Sequence, residues 1–209
     1  MRNFAIDGKS ISVFSAVQTE APIIYLNTFA NEGQRVFEVA QVVGCPPFSL
    51  VAISSLDWNL DMAPWDSPAA FKKGEPFTGG ADDYLRLLVE EIIQEAEKEL
   101  LGPPAWRGIA GYSLAGLFAL CAVYQTDVFS QVGCMSGSLW FPGFKEYVFF
   151  HDLRHTFATV ALQSGVDVKT VSAMLGHYDA GFTLRTYTHT NRRMQEKAAE
   201  KMGNFMAQV

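Results

Sequence analysis

Two sets of residues in this chain have the types and spacing that covalent chemistry requires. The first is Gly111-Tyr112-Ser113-Leu114-Ala115-Gly116. A serine that attacks an acyl carbonyl has to stand on a sharp turn between strand and helix, and glycines two positions to either side clear the way for that turn. The second set lies downstream, in His151-Asp152-Leu153-Arg154-His155-Thr156, Leu175-Gly176-His177 and Thr186-Tyr187-Thr188-His189. A tyrosine hydroxyl that attacks a phosphodiester needs cationic and hydrogen-bonding groups gathered around the phosphate. The spacing of His151 and Arg154 puts both on one face of a helix, one turn apart, with His177 and then Tyr187 following in order.

Each set demands its own scaffold, and the apolar pattern changes accordingly. Ile23–Leu26, Phe48–Ile53, Trp106–Tyr112 and Phe129–Met135 are short, nearly continuous apolar runs, as expected of parallel strands covered on both faces. Residues 33–43, 81–100 and 115–125 carry helical patterns between them, the middle one strongly amphipathic. Alternating strands and helices predict an α/β fold with a doubly wound, mostly parallel sheet. The segment from Asp57 to Gly80, with Pro64, Pro68, Pro76 and Gly79-Gly80, is long enough for a rim or binding loop. Near residue 148 the strand rhythm stops. From His151 the pattern is helical, broken at Gly165, Gly176 and Gly181, and Asn191–Val209 puts Met194, Ala198, Met202 and Phe205 on one helix face. All four histidines, His151, His155, His177 and His189, lie in this tail.

The first part resembles a known family. Asp57-Trp58-Asn59-Leu60-Asp61-Met62-Ala63-Pro64-Trp65, Phe77-Thr78-Gly79-Gly80-Ala81-Asp82-Asp83-Tyr84-Leu85, the serine turn and Ser136-Gly137-Ser138-Leu139-Trp140 together look like the α/β-hydrolase esterases of the esterase D and enterochelin-esterase type, over roughly residues 10–148. The resemblance implies Ser113 as nucleophile, the Leu114 N–H as one oxyanion donor, and a second donor near Thr28 or Phe29. In that family the acid and the histidine follow the strand after the elbow, and here that region is absent or replaced. Loop solvation and helix capping account for Asp57, Asp61 and Asp82. Residues 150–209 resemble the C-terminal end of phage-integrase-type tyrosine recombinases. That resemblance implies Tyr187 as nucleophile, Arg154 as part of the phosphate clamp, and His151 and His177 as supporting donors. The arginine and lysine that the family places further upstream have no counterpart in the esterase-like part.

Charge separates the two parts. Residues 1–148 hold 9 Lys and Arg against 17 Asp and Glu, a balance of −8, whereas residues 149–209 hold 7 against 5, a balance of +2. Affinity for nucleic acid comes mainly from neutralising phosphates, so DNA contact is expected only through the C-terminal segment, and weakly. No apolar run reaches the ~20 residues of a membrane span, no secretory leader is evident, and a cytoplasmic location is expected. Cys45, Cys121 and Cys134 are odd in number, lie in or beside apolar stretches and form no CxxC pair, so buried free thiols are expected, with no metal or cofactor. The chain therefore reads as a chimera: an incomplete α/β-hydrolase-like domain over residues 1–148, followed by an all-helical recombinase fragment over 149–209. The expected activity is hydrolysis of a small-molecule ester, impaired by the replaced acid and histidine region. The alternatives are site-specific recombination by the tail and an inactive fusion.

Overall fold

The chain first reverses at Asp7-Gly8, where both residues take left-handed backbone angles (φ 47° and 74°). Two successive positive φ values make the tight turn whose twist matches a β-hairpin, and Asp-Gly is among the pairs that adopt it most readily. The hairpin joins β1 (Arg2–Ile6) to β2 (Lys9–Phe14) with Ile6 opposite Lys9. The computed structural model describes residues 1–70 and 74–175.

β3 (Ile23–Asn27) and the fully buried β4 (Ser49–Ser54) flank α1 (Gly33–Val42). The expected rim segment holds a single turn of helix, α2 (Trp58–Asp61), and a small antiparallel pair, β5 (Asp66–Ser67) with β6 (Phe77–Thr78). The amphipathic stretch forms α3 (Ala81–Leu87), a π-helical turn over Leu88–Ile92 and α4 (Ile93–Glu97). Then come β7 (Arg107–Tyr112), α5 (Leu114–Gln125) and β8 (Gln131–Met135). Beyond them lie α6 (Phe144–Gln163) and α7 (Val168–Leu175).

The main sheet has the order β1-β2-β4-β3-β7-β8. β4, β3, β7 and β8 are mutually parallel, and β2 is the strand that runs against its neighbours. The expected mostly parallel sheet is present, with the N-terminal hairpin added at one edge. Helix α1 packs on β2 and β4 so closely that a methyl on Gly33 would lie 2.2 Å from Ala52 Cβ. Rings of Phe14, Phe37 and Phe48 fill the space beside it. Tyr25 donates to Glu97 at 2.9 Å, and Arg107 makes two bonds to the same carboxylate at 2.6 and 2.8 Å, fixing the end of α4 to β3 and β7. Helix α5 is apolar all round and mostly buried, as a helix enclosed in a core must be.

Of the cysteines, Cys121 is buried, Cys134 half-buried and Cys45 exposed. The expectation of burial fails at Cys45, which follows α1 in a surface turn. All three thiols are free.

The chain divides into two compact units between Pro142 and Gly143. The second begins with α6 at Phe144, earlier than the helical pattern read from His151. Its helix ends in a glycine-capped turn: Gly165 (φ 90°) donates to Leu162 O at 3.1 Å and Val166 to Ala161 O at 3.1 Å, the pairing that lets a left-handed residue satisfy the last carbonyls. Ala158 and Leu162 of α6 pack with Val171 and Leu175 of α7. The helix expected over residues 191–209 lies outside the described residues.

Candidate active site

Ser113 stands between β7 and α5 with φ 53° and ψ −122°. A side-chain-bearing residue in such a region costs about 1–3 kcal/mol, so the surroundings must impose it. They do so through the backbone. The Ser113 N–H donates to Met135 O at 3.1 Å, and its carbonyl accepts from Ser138 at 2.9 Å, Gly116 at 3.1 Å and Leu117 at 3.2 Å. Strand β8 and the turn after it therefore hold the serine from one side and α5 from the other.

The elbow departs from the expected glycine spacing at one position. Two residues before the serine is Gly111, but two residues after it is Ala115, and the glycine follows at Gly116. Gly111 is required because a methyl there would lie 2.5 Å from the Ala115 carbonyl carbon and oxygen. Ala115 is fully buried, and its methyl fits only because Gly111 has none. A methyl on Gly116 would sit 3.0 Å from Gly111 O and 3.1 Å from Gly137 Cα, so the next turn of the helix is held equally close to the sheet.

A cleft of about 200 Å³ opens over the serine. Trp58 and Asn59 of α2, Glu75, Phe77 of β6, Leu114, Ser138 and Trp140 line it with Ser113. The segment read as a rim loop thus supplies much of the wall. Glu75, Phe77 and Ser138 carried no assigned role in the sequence. Among the described residues the Ser113 hydroxyl has one side-chain partner, the Ser138 hydroxyl at 3.3 Å.

The oxyanion donors come out unequally. Leu114 is the first residue of α5 and its N–H has no acceptor among the described residues, as the first N–H groups of a helix generally do not. Thr28 is a correction: its N–H donates to Ile53 O at 2.8 Å, and its hydroxyl lies 2.9 Å from both Ala30 O and Ile53 O. Its donors are spent on the ends of β3 and β4. The Phe29 N–H is directed at the Tyr112 hydroxyl, which also donates to Glu32 at 3.4 Å. Burial and the Glu32 carboxylate raise the Tyr112 hydroxyl above its ordinary value, against the opposing effect of the Phe29 N–H. Phe29, Trp58 and Tyr112 stack in sequence with ring centroids 5.2 and 5.7 Å apart.

Asp57 caps α2, accepting from Leu60 N at 3.2 Å, and Asp82 accepts from Gln125 at 3.0 Å. Asp61 does not fit the expectation of a solvated loop carboxylate. It is buried, accepts from Asp57 N at 2.8 Å and pairs with Lys9 Nζ at 2.8 Å. Next to it Tyr84, fully buried, donates to Asn27 Oδ1. Burial first and the Asp61 charge second push the Tyr84 hydroxyl well above its usual range.

Of the phosphate-chemistry set, His151 and Arg154 lie on the backbone of α6 one turn apart, and His155 follows them. His177, Tyr187 and His189 lie outside the described residues.

Comparison with known proteins divides the chain in the same way. Residues 135–194 match the Phage integrase family. A tyrosine recombinase XerC-like protein of Caldanaerobacter subterraneus is 40% identical over 56 residues, 27% of this chain and 14% of that protein. The uncharacterized protein YbbA of Bacillus subtilis is 24% identical over 151 residues, 69% of this chain and 60% of that one. The chain thus spans less than two thirds of either relative. Among solved structures, the BES protein of Bacillus cereus superposes with a TM-score of 0.58 at 18% identity, covering 74% of this chain and 70% of that one. An IroE-like serine hydrolase of Shewanella oneidensis gives 0.57 at 23% identity, covering 70% and 51%. The chain joins a body with the fold of α/β serine hydrolases to a segment similar to tyrosine recombinases.

Proposed function

We propose that the body is a serine hydrolase site for a small carboxylic ester, with Ser113 as nucleophile and the Leu114 N–H as the first oxyanion donor. The observation that supports this is the imposed backbone of Ser113 at the mouth of a cleft. Phe29 supplies the second donor once the Tyr112 hydroxyl turns from it to Glu32. In the reaction Ser113 Oγ bonds to the carbonyl carbon, the serine proton leaves to solvent or to the departing alkoxide, and water then hydrolyses the acyl-enzyme. Turnover is slow, because the first histidine of the sequence is His151 and the body contributes no imidazole to take the serine proton. A triad that has lost a member retains roughly 10³–10⁴-fold acceleration over water from its oxyanion hole and binding. The test is release of p-nitrophenol from its acetate by the chain and by Ser113→Ala. Weak turnover that falls further in the variant supports the proposal, and equal rates overturn it. Robust turnover abolished by the variant refutes the impairment and gives the base role to a tail histidine, His177 first among them.

The family match over residues 135–194 favours a second reading for the tail, since that segment contains His151, Arg154, His177 and Tyr187. On this reading the tail is the last part of a recombinase domain, with the junction of origin near residue 148, and it contacts DNA weakly without cutting it. One arginine and two histidines form part of a phosphate clamp, and the −8 charge of residues 1–148 repels the duplex. Incubation with nicked duplex DNA and a denaturing gel tests this. A covalent adduct lost in Tyr187→Phe would make the tail the working half, while two negative assays would leave an inactive fusion. A cytoplasmic setting belongs to the same proposal; among the described residues no helix is long and apolar enough to cross a membrane.

A further inference from the structure

The cleft over Ser113 has a chemical bias that the serine does not set. Three of its walls are aromatic, from Trp58, Phe77 and Trp140. Among the described residues that line it, the one charged side chain is the Glu75 carboxylate, beside Asn59 and the two serine hydroxyls. Glu75 makes no ion pair among the described residues, so its charge is directed at nothing else in the body. Aromatic faces carry a negative quadrupole that attracts a cation, most strongly one that is weakly hydrated. A carboxylate at the same opening adds attraction, though a modest one at an exposed position. At about 200 Å³ the cleft is smaller than the ~300–1,000 Å³ of sites for drug-sized ligands, which favours a compact head group over a long chain.

We propose that this cleft selects an ester carrying a compact cation of the quaternary-ammonium kind and disfavours anionic esters. The proposal rests on Ser113 acting as an ester nucleophile, but binding can be measured apart from turnover. Trp58 and Trp140 line the cleft, so ligand occupancy changes tryptophan fluorescence. The probes, titrated into the full chain carrying Ser113→Ala, are acetylcholine, its neutral isostere 3,3-dimethylbutyl acetate, and the anion 4-acetoxybutanoate.

Acetylcholine is expected to bind about three- to tenfold more tightly than the neutral ester, with the anion weakest. Adding Glu75→Gln should reduce the preference for the cation about two- to fivefold and leave the neutral ester unchanged. Glu75 is exposed, so the variant keeps its fold, which circular dichroism verifies. Equal or tighter binding of the neutral ester, or a preference that survives Glu75→Gln, overturns the proposal. Hydrolysis of 3,3-dimethylbutyl acetate by the unmodified chain, with and without Ser113→Ala, runs in parallel. If Ser113-dependent hydrolysis persists without any cation preference, the substrate class is wrong and the nucleophile stands. A cation preference without Ser113-dependent hydrolysis supports the binding site and removes the nucleophile.

Discussion

Gly111→Ala puts a methyl where the fold leaves no room for one. The new Cβ would lie 2.5 Å from the carbonyl carbon and oxygen of Ala115 and 2.6 Å from its Cβ, closer than real Cβ atoms approach. A flexible side-chain tip could swing aside, but these are backbone atoms in the first turn of α5. The helix cannot slide easily either, because Gly116 already sits against Gly111 O and Gly137. Overpacking of this kind costs about 1–3 kcal/mol, and contact with backbone puts Gly111→Ala in the upper half of that range. At roughly 2–4 °C per kcal/mol for a chain of this size, the melting temperature should fall by about 4–12 °C. Thermal melts followed by far-ultraviolet circular dichroism measure the loss. Gly102→Ala is the control: its nearest neighbour beyond the adjacent chain is Thr19 Cγ2 at 3.9 Å, so its melt should stay close to wild type. Ester hydrolysis should fall with Gly111→Ala as well, since the serine turn moves with the helix. A Gly111→Ala protein that melts with the wild type would refute the packing argument for the elbow.

Two further outcomes follow from groups buried away from the serine. Lys9→Met should destabilise the body by about 3–5 kcal/mol in urea titrations because it leaves the Asp61 carboxylate buried without its cation, and Lys9→Met with Asp61→Leu should recover most of the loss; a mild single variant would show that the pair is solvated. Burial pushes the Cys121 thiol from 9.0 up to about 12, so the folded protein keeps a proton there that the unfolded chain loses, and stability should fall as pH rises from about 9 towards about 12. Iodoacetamide at pH 8 should label exposed Cys45 in the folded protein and Cys121 only after unfolding; Cys121 labelled at the rate of Cys45 would contradict its burial.

The parts legible in the sequence were those with a local signature. β3, β4, β7 and β8 are read from continuous apolar runs because both faces of those strands are covered. The first hairpin passes unread for the opposite reason: β1 alternates and stays largely exposed, so it has no apolar run, although Asp7-Gly8 carries a turn signal. Ser113 was legible because strand, serine and helix are adjacent. The partners that complete its cleft were not, since Glu75, Phe77 and Ser138 are brought there by tertiary packing. Long-range pairing also decided Asp61, which looks like a loop carboxylate until the hairpin delivers Lys9 to it. Thr28 looked like an oxyanion donor by its place after a strand, and only the register of β3 against β4 shows its N–H committed to Ile53.

The hydrogen bonds to Ser113 come from Met135, Gly116, Leu117 and Ser138, all within one continuous stretch of chain. The posture of the nucleophile is therefore inherited as a module, separable from whatever downstream sequence would activate it. An exchange of genes beyond this stretch can replace the acid and the base while leaving the turn intact. Elbow geometry alone is thus a record of ancestry, and a survey that ranks proteins by the shape of this turn would count working enzymes and disarmed ones together.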